Sequence, residues 1–385
     1  MHIFEPDVLR QNQHRTSVAH PEWQQWSLHV EDPVDRSDPE SQSVLGILKS
    51  KHPQAQPASP DAVLLNSSEA PQIHSVVFDQ ITASSIRSAA LRTKGAAGPR
   101  VSTHTAGEGF APPSNLPLTT SGVSFVDLKG LSSLLSCRLI ALDKCPGVRP
   151  IGICETARRI ISKAVLSVAK GDLQDSAGSL QLCAGQISGI ETAVHAMKET
   201  FLNDETEAVL LVDASNAFNS LNREAALHNI QHLCPTLSTI LINIYCEATE
   251  LFVDGTVLFF EEGTTQSDPL AMPMYALATI LLISRLGESS DVVQVRYADD
   301  ASAAGGLSSI RSWWDTLSSL GPSFGYFANA SKTWLITKDS LLVKAKEIFH
   351  DTQVKISSDL ILAPLLAPKS LLTSSSLKKS TNGKN

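Results

Sequence analysis

Aromatic residues are scarce in this sequence, at 5% of 385 positions. The six cysteines form no C-x-x-C pair and lie far apart, which excludes a zinc ribbon or a disulfide frame and predicts reduced thiols. No apolar run is long enough to span a bilayer. Leu270–Ile283 reaches only 14 residues and contains Pro273, against the ~20 that a crossing helix needs. The first residues, MHIFEPDVLRQNQHR, hold no apolar core of a secretory signal, so an intracellular location, nuclear or cytoplasmic, is expected. A surplus of basic charge is missing too. Thirty-one Lys and Arg face 39 Asp and Glu, for a net charge of −8, which argues against a wholly basic coat protein while leaving local patches open.

What is present is uneven along the chain. Residues 1–75 are polar, proline-bearing and acidic, and read as an irregular extension expected to be disordered. Residues 76–123 open with a run suited to one strand and one helix, then turn into a Gly/Pro/Ser/Thr loop at 101–122. Order resumes near Ser124. CRLIAL and VRPIGI are β-rich runs joined by a turn cluster at Asp143–Gly147, and ETARRIISKAVLSVAK has helical spacing. Eight basic residues against two acids between Lys129 and Lys170 invert the overall charge. Further on come a helix at SGIETAVHAMKETFL, a buried-type strand EAVLLVD, two helices, and a hairpin turning at Asp254-Gly255. A helix over 269–286, strand–turn–strand in VVQVRYADDASAAGG and a helix in IRSWWDTLSSLG complete the pattern. Asp268 suits an N-cap for the helix over 269–286, with Pro273 expected to loosen or kink its first turn. The tail 357–385 is Ser/Lys/Pro-rich and expected to be unstructured. Strands and helices mixed in this way predict an α+β fold.

Two acidic positions stand out. Asp213 ends an apolar strand, where an Asp is often only a cap. Asp299 and Asp300 follow Tyr297-Ala298 at the tip of a strand–turn–strand, where adjacent acids are either solvated or hard oxygen ligands for a divalent cation. Carboxylates brought together at strand ends are what two-metal phosphoryl transfer requires.

The runs LLVDASNAFNSLNR, EEGTTQSDPLAM, VRYADDASAAG and GYFANASKTWLI occur in that order. Together they resemble motifs A to D of reverse transcriptases, and the wording is nearest to retroelement enzymes of non-LTR type. Upstream, CRLIALDKCPGVRPIGICETARRIISKA and QLCAGQISGIETAVHAM resemble the finger blocks of the same family. The resemblance covers residues 124–356 and implies a polymerase right-hand fold. Fingers would occupy 124–205 and palm 206–340, with the thumb missing or incomplete in 341–385. It implies an RNA-directed DNA polymerase working on an RNA template and a DNA primer with dNTPs. Mg²⁺, or Mn²⁺ in its place, would be held by Asp213, Asp299 and Asp300. It further implies that Lys332 donates a proton to the leaving pyrophosphate and that Lys144 and Arg149 pair with the triphosphate. Phe218 would select against a 2′-hydroxyl, and Gln266 would sit under the new base pair. Arg158, Arg159 and Lys163 would track the template backbone. Taken singly, Phe218 reads as core and the basic residues as surface charges.

Two departures temper the resemblance. Ser267 stands where the family usually has Gly after the motif B glutamine, and a Cβ there is expected to crowd the nucleotide. The family's thumb pattern stops near Ser357. A catalytically inactive remnant with at most nucleic-acid binding is therefore the second reading, and a host-adopted interaction protein the third.

Overall fold

The computed structural model describes residues 42–64, 76–93, 131–144 and 147–358. Expectations for the loop 101–122, for the remainder of the extension 1–75 and for the tail from 359 fall outside them. In chain order the helices are α1 (Val44–Lys51), α2 (Val76–Asp79), α3 (Ala83–Leu91), α4 (Ser132–Leu135), α5 (Thr156–Ala177), α6 (Gly189–Leu202), α7 (Ala217–Ser220), α8 (Arg223–Leu233), α9 (Pro235–Tyr245), α10 (Ala271–Ser289), α11 (Leu307–Leu320) and α12 (Leu342–Ile348). The strands are β1 (Cys137–Asp143), β2 (Val148–Cys154), β3 (Ala208–Val212), β4 (Ala214–Ser215), β5 (Thr249–Val253), β6 (Thr256–Phe260), β7 (Val293–Tyr297), β8 (Asp300–Gly305), β9 (Phe327–Ala328), β10 (Trp334–Thr337) and β11 (Lys355–Ser357). The fold is α+β. None of the described helices is long and apolar enough to cross a membrane.

The chain forms two compact units that interleave. Residues 177–217 and 279–358 build one, and the described residues up to 176 together with 218–278 build the other. Among the described residues the chain changes unit at 176/177, 217/218 and 278/279.

The second of these units holds a four-stranded sheet in the order β2-β1-β5-β6. β1 and β2 pair antiparallel from Cys137 opposite Cys154 to Asp143 opposite Val148, and β1 runs parallel to β5. The β5–β6 turn is Asp254-Gly255 with φ of 42° and 78°, the positive pair that a two-residue type I′ hairpin needs. One sheet face supplies a core of Leu139, Val148, Leu251 and Phe260, closed by Val44 and Leu48 of α1. This helix lies inside the extension expected to be irregular. Ser43 caps it by accepting from the Gly46 N–H at 3.2 Å. Eight residues between polar, proline-bearing flanks are too few for helical period to stand out. After α1, residues 53–64 run as a strap whose backbone is held by side chains. Glu261, Glu262, Glu224 and Asn229 accept from the N–H groups of Ala55, Gln56, Ala58 and Leu64 at 2.6–3.0 Å. A second correction concerns the start of 76–123, expected to hold one strand and one helix, where Val76–Asp79 and Ala83–Leu91 are both helical.

The other unit holds a five-stranded sheet, β11-β10-β3-β8-β7, and the short pair β4–β9. β3 lies between β10 and β8. Central burial explains its unbroken apolar run, AVLLV. Met197 and Phe201 of α6 pack on Val209, Ala304 and Ile336.

Candidate active site

The site builds from β3 outward. Val212 pairs with Ala301 across the antiparallel β3–β8 ladder. One step beyond that register, Asp213 leaves β3 at the end of the sheet where β8 begins with Asp300. Tyr297 pairs with Asp300, so Ala298-Asp299 is the two-residue turn of the β7–β8 hairpin. The three acids singled out in the sequence therefore meet at one sheet end. Ala298 has φ 55°, a left-handed conformation that costs a non-glycine residue about 1–2 kcal/mol.

Buried partners hold this turn. The Gln181 side chain accepts from the Ala298 N–H at 2.8 Å and donates to the Ala298 carbonyl at 3.1 Å. Thr279 Oγ1 lies 3.2 Å from the same amide nitrogen. Tyr326, 1% exposed, donates its hydroxyl to the Asp299 carbonyl at 2.9 Å. Behind them Arg296 is buried, with its guanidinium 5.2 Å from the Trp313 ring and 5.4 Å from that of Tyr326. Asp213 is fixed through its carbonyl, which accepts from the Asn329 N–H at 2.8 Å. The short β4–β9 pair holds the chain just past it. Lys332, half exposed, brings Nζ to 3.7 Å from Asp213 Oδ2. Four of the expected residues, Asp213, Asp299, Asp300 and Lys332, thus lie in one unit.

Electrostatics mark the cluster. Burial, followed by the charges of Asp299 and Asp213, pushes the Asp300 carboxyl up to about 6. Burial, with Asp299 adding, pushes the nearby Cys183 thiol up to about 12. Among the described residues no three His, Cys, Asp or Glu side chains converge into a cage that could hold a metal ion. Mg²⁺ nonetheless takes only one or two carboxylates where waters and substrate phosphates complete its shell. Hard oxygen donors, one of them already driven toward its protonated form by burial and then by its acidic neighbours, fit such an ion.

The remaining expected residues lie in the other unit, where several take structural roles. Arg158, expected on the template backbone, is buried, and its Nη2 lies 2.6 Å from Asp268 Oδ2 with side-chain exposures of 2% and 0%. Burial works against its charge, but neighbouring negative groups, Asp268 among them, hold its pKa well above the ordinary value. Asp268 also accepts from Tyr245 Oη at 3.1 Å and from the Leu270 N–H at 2.9 Å. Helix α10 starts only at Ala271, so Pro273 falls in its first turn, where no backbone donor is lost. Arg159 donates to Thr156 Oγ1 at 3.3 Å, and Lys163 donates to the Arg92 carbonyl at 3.0 Å, beyond the end of α3. Phe218 is buried, and its ring stacks on Tyr275 with centroids 4.3 Å apart. The ring packs in the core. Gly263, at φ 71°, lets the chain pass against the Phe218 carbonyl, where a Cβ would collide.

Ser267 does not project into open space. Its hydroxyl donates to the Gly152 carbonyl and accepts from the Cys154 N–H at 3.3 Å, tying the segment before α10 to β2. Gln266 lines a small cleft with Pro150, Gly152, Asn219 and Thr265, and its side-chain oxygen finds no partner among the described residues. Lys144, exposed, follows β1, and the half-buried Arg149 lies on β2 opposite Leu142. Sequence reasoning missed Gln181, Tyr326, Arg296 and the pairing of Asp268 with Arg158. Neither spacing nor charge flags Gln181 or Tyr326, whose partners are backbone groups across the fold.

No family model and no curated protein matches the sequence. Among solved structures the chain is similar to apo telomerase from Candida tropicalis, at 13% identity over 56% of this chain and 46% of that one, with TM-score 0.44. It is also similar to apo telomerase of the same organism truncated from its C-terminal domain, at 14% identity over 54% and 51%, with TM-score 0.42. The chain spans about half the length of those structures.

Proposed function

We propose that this chain is a nucleotidyltransferase of reverse-transcriptase type, an RNA-directed DNA polymerase of the kind retroelements encode. The observation that carries this reading is the meeting of Asp213 with the Asp299–Asp300 turn at one end of the β3–β8 ladder. In it, Asp213 and Asp299 hold the divalent ions, and Asp300 adds negative charge beside them. Bound Mg²⁺ would polarise the phosphoryl oxygens and lower the pKa of a primer 3′-hydroxyl. Lys332, at 3.7 Å from Asp213, pairs with that carboxylate and is a candidate proton donor to the leaving pyrophosphate. Gln181 and Tyr326 keep the turn from reorganising as charge develops, the preorganisation on which phosphoryl transfer depends. Lys144 and Arg149 stay candidates for the triphosphate, and Gln266 for the nascent pair. Phe218 and Arg158, both buried, are candidates of lower rank, Phe218 against the sugar and Arg158 toward the template backbone.

The test is Mg²⁺-dependent primer extension on an RNA template by the full chain and by Asp299→Ala. Extension by the unmodified chain that Asp299→Ala loses supports the reading. Extension that survives in Asp299→Ala refutes the site, and silence from a folded, RNA-binding wild type favours the inactive remnant.

A further inference from the structure

Gln181 opens the block QLCAGQISGIETAVHAM, where no role was expected of it, yet it holds the turn carrying Asp299 from both sides of Ala298. It is 1% exposed, and its single amide satisfies both the N–H and the carbonyl of Ala298, at 2.8 and 3.1 Å. The next residue continues the attachment, because the Leu182 N–H donates to the Arg296 carbonyl at 3.0 Å. The Ala298 N–H and carbonyl fix which end of the amide faces which group, and the amide nitrogen also donates to Thr279 Oγ1 at 3.2 Å.

The geometry points to Gln181 as the positioning residue for the Asp299 carboxylate. The two peptide carbonyls around Asp299 are each pinned by a buried donor. The Ala298 carbonyl is held by Gln181 and the Asp299 carbonyl by Tyr326 at 2.9 Å. With both peptide planes fixed, the Asp299 Cα has one orientation and its side chain starts from one place. Ala298 is the strained member, at φ 55°, and strain of this sort persists only where the surroundings over-determine it. Without Gln181 the Ala298 N–H and carbonyl lose their partners, and the turn is free to relax to an ordinary φ, swinging the Asp299 peptide. Gln181 touches neither ion nor substrate in this arrangement. It acts through the backbone that bears the ligand, as outer-shell partners of metal ligands do. The role in catalysis rests on the polymerase reading, whereas the effect on the turn does not.

The experiment compares the full chain with Gln181→Ala and Gln181→Glu. Hydrogen exchange of peptides spanning 297–300 is read beside Mn²⁺ binding by electron paramagnetic resonance and, separately, primer extension. Gln181→Ala is expected to speed exchange of the turn by about tenfold while α6 and β10 keep their protection. Mn²⁺ affinity should weaken by about tenfold, the usual size of an outer-shell effect. Gln181→Glu retains the acceptor for the Ala298 N–H but, once ionised, cannot donate to the carbonyl, so it should fall between the two. Should Gln181→Ala fail to fold, the Glu variant carries the comparison. Exchange and Mn²⁺ affinity at wild-type values in the folded variants would overturn the assignment. Both changes in Gln181→Ala, beside a wild type that extends no primer, would refute the polymerase reading and leave the positioning role standing.

Discussion

Replacing Asp268 by Ala should be among the most damaging single changes in this molecule. One carboxylate receives Arg158 Nε and Nη2 at 2.9 and 2.6 Å, the Tyr245 hydroxyl at 3.1 Å and the Leu270 N–H at 2.9 Å. Its removal leaves a fully buried guanidinium with the Leu135 carbonyl at 2.7 Å as its remaining oxygen contact of those described. Breaking a buried ion pair from one side costs about 3–5 kcal/mol, because the stranded charge stays desolvated. Removing both charges is different. Arg158→Met combined with Asp268→Leu fills the same space with apolar atoms and should lie within about 2 kcal/mol of wild type. Urea unfolding followed by circular dichroism, carried through both single variants and the double, measures the coupling. Asp268→Ala within 1 kcal/mol of wild type, or a double variant costing the sum of the singles, would refute the argument.

Three further outcomes are expected. Asp300 has its carboxyl at about 6 in the fold against an ordinary 3.8, so the folded chain binds more protons than the unfolded one between those values, and stability falls as pH rises through that window. At ~1.4 kcal/mol per unit, discounted for partial exposure, the loss is about 2 kcal/mol. Asp300→Asn should remove it and melt higher than wild type at pH 7.5, and parallel pH profiles for the two proteins would exclude it. Ser267→Gly should lower the melting temperature, since the two bonds to β2 are worth about 1–2 kcal/mol and glycine adds flexibility to the unfolded chain; a rise would contradict the tie. Phe218→Ala should cost about 3–5 kcal/mol, as emptying a buried aromatic site does, and a wild-type urea midpoint would place the ring outside the core.

Short-range chemistry was readable in advance. The paired β-rich runs became β1 and β2, Asp254-Gly255 became a positive-φ turn, and the ordered motifs placed Asp213, Asp299 and Asp300 on strand ends that do come together. Partners distant in sequence were not readable. The spacing of α5 treats Arg158 and Arg159 as equals on a polar face, but Asp268, 110 residues on, draws one of them inside. Helix α1 hid in a polar stretch because eight residues give barely two turns of period. Gln181 opens a quoted block, but its role stayed hidden because its partner is the Ala298 backbone, and backbone leaves no trace in composition. The interleaving of the units escaped for a similar reason, since order along the chain says little about which segments share a core.

The strap 53–64 obeys a rule that composition does not reveal. Glutamates and asparagines grip its peptide groups, so most side chains along it are exchangeable while the count of residues is not. Inserting or deleting one residue between Ala55 and Leu64 would put every later N–H out of step with its acceptor. Proline at Ala55, Gln56, Ala58 or Leu64 would remove one donor outright. Among related sequences, this stretch should therefore vary freely in wording and hardly at all in length.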